Sequence, residues 1–382
     1  QMCIRDRVSL GSANYPFGGI TDSGFAGDTS KGPLNKDLKW ETTDQYNVGL
    51  DFGFLKNRIA LSVNYYYKKT RDLLQYVSIP SSTGFSNMWT NFGHVTNEGI
   101  ELTGQFYAID TKDWGLDFDA NIAFNRNRIG GLTADQYANN LWYSAKEVFI
   151  QRNGLPIGAI LGYVEDGFYD NLAEVRADPL YANVSDVEAQ RMVGEIKYLD
   201  VNGDGKLTTE DRAIIGDTNP DFTYGLTGNF RWKNLTLSLF FQGTYGNDIF
   251  NANLTNISMQ SVSNIPKFAY ESRWTPDNTE NAKWPRATMA QTREWRISDR
   301  HVEDGSYLKL KTINLAYNFG SPCKGIENLT VFGTVNNVFT ITGYSWYDPD
   351  VNTFGQDASR RGVDIYSYPA SRTFSLGVKV TL

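Results

Sequence analysis

The stretch Arg58–Thr70, RIALSVNYYYKKT, decides the fold. Ile59, Leu61, Val63, Tyr65 and Tyr67 share one parity, and Ala60, Ser62, Asn64, Tyr66 and Lys68 share the other. A period of two sends successive side chains to opposite faces, so this segment is a strand with one apolar and one polar face. The pattern repeats along the chain. QYNVGLDFGF sets Tyr46, Val48, Leu50, Phe52 and Phe54 against Asn47, Gly49, Asp51 and Gly53. LDFDANIAFNRN sets Leu116, Phe118, Ala120, Ile122 and Phe124 against Asp117, Asp119, Asn121 and Asn125. GIELTGQFYA, FTYGLTGNFRW, LTLSLFFQG, LTVFGTVNNVF and RTFSLGVKVTL alternate in the same way. In YLKLKTINLAYNF the apolar parity changes between Leu310 and Ile313, which predicts a β-bulge. The count is about nine strands.

The connections alternate in length. FLKN, DTKD, RWKN and GSPCKGIEN are short, whereas long segments follow Leu73, Ile129, Asp248 and Thr342. All long loops then lie at one end of the sheet. A soluble sandwich and an outer-membrane barrel both alternate like this. The strands, about 12–16 residues, exceed the usual soluble length and can cross a tilted bilayer span. Glu101, Asp117, Asp119 and Arg231 on the polar faces suit a wet lumen. The expectation is therefore all-β: the C-terminal part of a large antiparallel transmembrane β-barrel, with short periplasmic turns and long extracellular loops. An odd count, with the first strand starting on the loop side and the last ending on the turn side, fits a portion of a larger barrel. Residues 1–7, QMCIRDR, read as a non-native scar, residues 8–39 as an extracellular loop segment, and residues 40–382 as barrel, with a long loop at 130–219.

Composition narrows the function. Aromatic residues make up 14% of the chain, and its 35 glycines serve turns, which fits a β-rich protein. Charges are of mixed sign with a net of −7, so no basic patch points to nucleic acid. Cys3 and Cys323 are too few for a disulfide framework and lack zinc spacing. No apolar run is long enough for a transmembrane helix.

Several stretches resemble one family. LKWETTDQYNVGLDFGFLKNRIALSVNYYYKKTRDLL, FGHVTNEGIEL, GEIKYLDVNGDGKLTTEDRAIIGDTNPDFTYGLTGNFRWKNLTLSLFFQGTYGNDIFN, DGSYLKLKTINLAYNF, GYSWYDPDVN and YPASRTFSLGVKVTL are similar to the C-terminal part of SusC/RagA-like TonB-dependent transporters of Bacteroidetes. The resemblance implies a barrel of about 22 strands with a plugged lumen. It also implies import of oligosaccharides or peptides across the outer membrane. The partners would be a SusD-like surface lipoprotein over the mouth, the TonB complex acting through an N-terminal part, and outer-membrane lipid. Such chains end in an aromatic residue, whereas this one ends in Leu382.

Two residue sets are candidate sites. Asp200, Asn202, Asp204, Lys206 (through its carbonyl), Thr208 and Asp211 take positions 1, 3, 5, 7, 9 and 12 of an EF-hand-like loop, with Gly205 at the turn. Either Ca²⁺ or a metal-free turn of side-chain-to-backbone hydrogen bonds fits this spacing. No amphipathic helix pair flanks the loop, so its expected role is to pin a long loop. Trp89, Trp142, Tyr143, Trp274, Trp284, Trp295, Tyr344, Trp346 and Tyr347 lie outside the expected strands. Aromatic faces stack on sugar rings, and they also pack loops together. Asp348 and Asp350, or Glu303 and Asp304, are acid pairs of a kind common in polar loops, and no catalytic residue is assigned. His94 and His301 are read as surface or strand-end residues. Two further functional readings compete: a secreted, calcium-stabilised carbohydrate-binding β protein, and a siderophore-type TonB-dependent receptor.

Overall fold

The computed structural model describes residues 10–17, 20–27, 35, 37–78, 80, 82, 87–138, 147–257, 259, 264–289, 296–355 and 357–382. Its frame is a nine-stranded sheet. The strands are β1 (Thr42–Phe54), β2 (Ile59–Arg71), β3 (His94–Asp110), β4 (Trp114–Gly130) and β5 (Phe222–Trp232). Then come β6 (Leu235–Tyr245), β7 (Tyr307–Gly320), β8 (Asn328–Thr342) and β9 (Thr373–Thr381). Each strand pairs antiparallel with its neighbours in sequence, so the sheet is an up-and-down meander. β1 and β9 stand at its two edges, and the barrel is not closed. The β1–β2 turn is tight because Leu55, Lys56 and Asn57 all take positive φ. The bulge expected in β7 is present: the register slips between Leu310 and Thr312 against consecutive residues of β6. Tyr307 and Lys309 thereby point to the same side as Thr312 and Asn314.

Among the described residues, no protein layer covers the apolar face of this sheet. Tyr46, Val48 and Leu50 on β1, and Phe374, Leu376 and Val378 on β9, are each more than half exposed. An uncovered apolar surface spanning nine strands is far larger than a soluble monomer tolerates. Two aromatic groups mark its upper and lower limits. Trp114 packs on Trp232 at 5.8 Å and on Phe230 at 5.6 Å near the short turns. Phe222 packs on Tyr245 at 5.2 Å and on Phe124 at 5.6 Å near the loops. Phe222 and Trp232 begin and end β5. That strand length is ~33 Å, or ~25 Å of height at a tilt of ~40°, the height of a lipid-facing band between aromatic girdles.

The buried core lies in the loops instead. One cluster joins Val148, Phe149 and Ile160 from the loop after β4, Phe250 and Ala252 from the loop after β6, and Val363 from the loop after β8. Short sheets reinforce it. Ala159–Gly162 pairs with Phe149–Gln151 and Ala213–Asp217, and Asp248–Asn251 pairs with both Val302–Asp304 and Val363–Asp364. Three long loops therefore form one packed layer. Two details differ from the sequence reading. Within the 8–39 segment, Leu10–Phe17 pairs with Ile20–Gly27 as a hairpin. Trp89 lies in a strand, Asn87–Asn91, paired with Leu74–Ser78.

His301 corrects a sequence expectation. It is 1% exposed, and its ring stands 6.3 Å from that of Phe250. Burial, reinforced by the Arg300 charge, pushes its pKa down to about 4. The unfolded imidazole titrates near 6.5, so acid protonates the opened loop before the folded one. Stability is therefore lost as pH falls from about 6.5 toward about 4. Between pH 7.5 and pH 5 the opening free energy around His301 is expected to drop by about 2 kcal/mol. Asp299 and Asp248, whose pKa values are raised by burial, act in the opposite sense, contributing stability in acid that is lost as pH rises. Hydrogen exchange over residues 297–304, corrected for intrinsic rates, checks this, and a His301→Gln chain should lose the dependence.

Candidate functional site

The other face of the sheet is polar and cross-linked between strands. Ser62 on β2 donates to Asp51 on β1. The Tyr66 hydroxyl crosses over Gly99 of β3 and donates to Asn125 of β4 at 2.8 Å. Gly99 is required for this crossing: a Cβ there would stand 2.5 Å from the Tyr66 hydroxyl and 2.3 Å from the Phe124 carbonyl oxygen. Asn229 donates to Asp117 at 2.9 Å, and Ser238 donates to Asn229 at 2.7 Å, a chain through β4, β5 and β6. Asn314 donates to Thr334 at 2.8 Å, and Asn336 to Thr373 at 3.2 Å. Hydroxyls and amides dominate, so the face offers neutral donors and acceptors to a solute. A recess of about 370 Å³ near its loop end is lined by Gln45, Asn47, Asn64, Tyr66, Lys68 and Glu101.

The loop layer is tied to the sheet and within itself by buried ion pairs. Lys309 is 2% exposed, and its Nζ reaches Asp348 at 2.7 Å and Asp350 at 3.3 Å. Those two acids of WYDPD thus hold the last loop to β7. Arg300 donates through Nε to Glu165 at 2.7 Å, and both side chains are largely buried. The Arg300 guanidinium also stands 5.1 Å from the Trp284 ring centre. This pair joins the loop after β4 to the loop after β6. Sequence reasoning assigned neither Lys309 nor Glu165. The only available signal was a lysine beside the parity break in β7.

The structure divides the candidate aromatics. Trp274 and Trp284 are buried in the loop layer, and Trp274 Nε1 donates to Asp170 at 2.8 Å. Tyr344 is buried too, donating to Asp364 at 2.7 Å, and its hydroxyl is pushed well above the ordinary tyrosine pKa by burial and by that carboxylate. These three are already engaged with protein, so they pack loops rather than offer a face to a solute. Trp89 at 41% and Tyr347 at 70% exposure reach the solvent, and Trp346 packs on Tyr347 at 5.7 Å. Trp142, Tyr143 and Trp295 lie outside the described residues.

The EF-hand-like loop is curled by its own side chains. Asp200 accepts from the N–H groups of Gly203 and Gly205, each at 2.7 Å. Asn202 accepts from Asp204 N–H at 2.9 Å, and Asp204 from Lys206 N–H at 2.8 Å. Asp211 is fully buried and accepts from Val201 and Thr208 N–H at 3.1 and 2.6 Å, closing the curl from its far end. Gly203 and Gly205 take the positive φ that the bends need. Among the described residues, no group of three or more His, Cys, Asp or Glu side chains is placed to hold a metal on its own. Any cation here would need the Asn202 and backbone oxygens as well.

An uncovered apolar face, a hydrogen-bonded polar face and one loop-capped end describe a section of a membrane barrel wall. The family model "TonB dependent receptor-like, beta-barrel" matches residues 8–379. The chain belongs to that family. It is an outer-membrane β-barrel chain with SusC among its relatives. It is 32% identical to TonB-dependent receptor P26 of Formosa agariphila, over 99% of this chain and 38% of that protein. It is 30% identical to TonB-dependent receptor SusC of Bacteroides thetaiotaomicron, over 96% of this chain and 34% of that protein. The chain thus spans little more than a third of the length of these relatives. Among solved structures, the RagAB peptide importer in its open-open state superposes with a TM-score of 0.76 at 22% identity, over 99% of this chain and 38% of that one. That likeness establishes the fold.

Proposed function

We propose that this chain forms part of the wall and outer mouth of a TonB-dependent importer that takes up oligosaccharides or peptides together with a SusD-like surface lipoprotein. The observation that carries the reading is the pairing of a hydrogen-bonding inner face, rich in hydroxyls and amides, with a mouth built jointly by three long loops. Hydroxyls and amides suit a polyhydroxylated or peptide solute, which needs many weak donors and acceptors. The relatives point the same way: one is SusC, and one neighbouring structure is described as a peptide importer. The uncovered apolar face sets aside a secreted soluble binding protein. A siderophore-type receptor would share the barrel and differ in its solute. The test is uptake and binding by the gene product carrying these residues, in its native genetic context, against a panel of oligosaccharides, oligopeptides and ferric chelates. Saturable, TonB-dependent uptake of a glycan or peptide supports the proposal, and uptake of ferric chelates alone would overturn it.

A second reading concerns residues 200–211, where Ca²⁺ would join Asp200, Asn202, Asp204 and Asp211 side chains and the Lys206 carbonyl. The favouring observation is that backbone N–H groups already hold the side chains of positions 1, 3 and 5 curled inside the loop. Each oxygen keeps a second lone pair for a cation. Millimolar Ca²⁺ is expected to slow proteolysis within 197–215 at least tenfold, by the mass-action stabilisation a ligand confers at a large excess over its Kd. Asp200→Asn should abolish that protection. An identical cleavage rate with Ca²⁺ and with chelator would mark the loop as a metal-free turn.

A further inference from the structure

The register of β2, β3 and β4 orders their outward side chains into rows stacked down the barrel wall. From the short-turn side upward, Ile59–Phe106–Phe118 is followed by Leu61–Gly104–Ala120, Val63–Leu102–Ile122 and Tyr65–Ile100–Phe124. These four rows are apolar or aromatic. The next row is Tyr67–Glu98–Arg126, and the one above it is Lys69–Thr96–Arg128, continued on β1 by Asp44, whose carboxylate is taken up by Arg71. The outward face thus changes within two rows, ~13 Å along the strands, from hydrocarbon to charged groups in which Lys69, Arg126 and Arg128 outnumber the carboxylates of Glu98 and Asp44. Arg126 and Arg128 are exposed. Among the described residues, neither they nor Lys69 form an ion pair, whereas nearby Arg71 is paired with Asp44 at 2.6 Å. A cation on the lipid face is costly at mid-bilayer and nearly free at the interface, so these rows belong at headgroup depth. Long loops mark the outer side of such a barrel, so this is the outer leaflet.

We propose that Lys69, Thr96 and Arg128, with Arg126 one row below, form a binding site for the phosphate-bearing headgroup of a lipid in the outer leaflet. Lys69 and Arg128 lie two strand spacings apart, ~10 Å between backbones, and their long side chains can close on one phosphate between them. The ammonium brings three donors and the guanidinium five, with the Thr96 hydroxyl in the middle of the row. Below the Tyr67–Glu98–Arg126 row, the aromatic and apolar rows from Tyr65–Ile100–Phe124 down supply a continuous surface for the acyl chains of the same lipid. This continuity assigns a lipid rather than a soluble anion. The inference rests on the membrane-barrel assignment and is independent of what the importer carries.

The test is native mass spectrometry of the gene product in nanodiscs containing bis-phosphorylated lipid A or its dephosphorylated form. Wild-type protein is expected to retain the phosphorylated lipid about tenfold more, the scale of a few interfacial charges at partial occupancy. K69Q/R126Q/R128Q should bring the ratio to about one, whereas K69R/R126K/R128K should keep it. Equal retention of both lipids by wild type, or an unchanged ratio in the glutamine variant, would overturn the site. Displacement of the lipid by millimolar inorganic phosphate would overturn the headgroup assignment in favour of an ion site. If the triple glutamine variant does not assemble, R128Q alone is read instead and should lower the ratio about threefold.

Discussion

Phe250→Ala is expected to unlock the whole loop layer while leaving the barrel sheet intact. Phe250 is fully buried at the junction of three loops. Its ring meets Phe149 of the loop after β4 edge-on at 6.5 Å and stands beside His301 of its own loop. Its backbone pairs with Val363 of the loop after β8. Truncating a buried phenylalanine costs about 3–5 kcal/mol, through lost transfer energy and the cavity left behind. The cavity cannot close easily here, because its walls come from three segments pinned separately to the sheet. Hydrogen exchange should therefore accelerate together in 148–151, 159–162 and 302–304, with β5 and β6 unchanged. Acceleration in one loop only would show that the loops are independent and that the layer is not a cooperative unit.

That cooperative layer is the part of the fold the sequence conceals. The barrel wall was legible because a membrane strand repeats one simple rule, apolar out and polar in, as in Ile59–Tyr67 and Leu116–Phe124. Even the bulge in β7 showed itself, since an extra residue shifts the parity that follows it. In the loops no period exists. Phe149, Phe250 and Val363 meet through tertiary packing between segments distant in sequence, and nothing local in VFI, DIFN or VDI announces it. The same cause explains the fate of the candidate aromatics. Trp274, Trp284 and Tyr344 carry the same residue chemistry as Trp89 and Tyr347, and only burial separates packing groups from exposed ones. His301, expected at the surface or a strand end, is buried for the same reason. The 200–211 loop was readable because its side chains bond to backbone groups within a few residues. Its occupant depends on atoms that the spacing alone does not place.

Lys309→Ala should release the last long loop from the barrel mouth. Lys309 sits where the bulge turns its side chain inward, over the Tyr307 ring at 5.0 Å. Its ammonium is the buried counter-charge of Asp348, and Asp350 shares it from a half-exposed position. Removing one member of a buried pair strands the other charge, a loss of about 3–5 kcal/mol. Asp350 can turn to water, so the penalty falls on Asp348, whose side chain is only 14% exposed. Asp348→Asn should thus cost far more than Asp350→Asn, which belongs with half-exposed pairs at about 1 kcal/mol or less. Lys309→Met separates packing from charge, because methionine keeps most of the stem that covers Tyr307. If the charge is what matters, Met will free residues 344–355 to exchange as fully as Ala does, with β7 and β8 still protected below the bulge. If Met restores protection, the lysine holds the loop by its stem, and its charge serves only to neutralise Asp348 and Asp350.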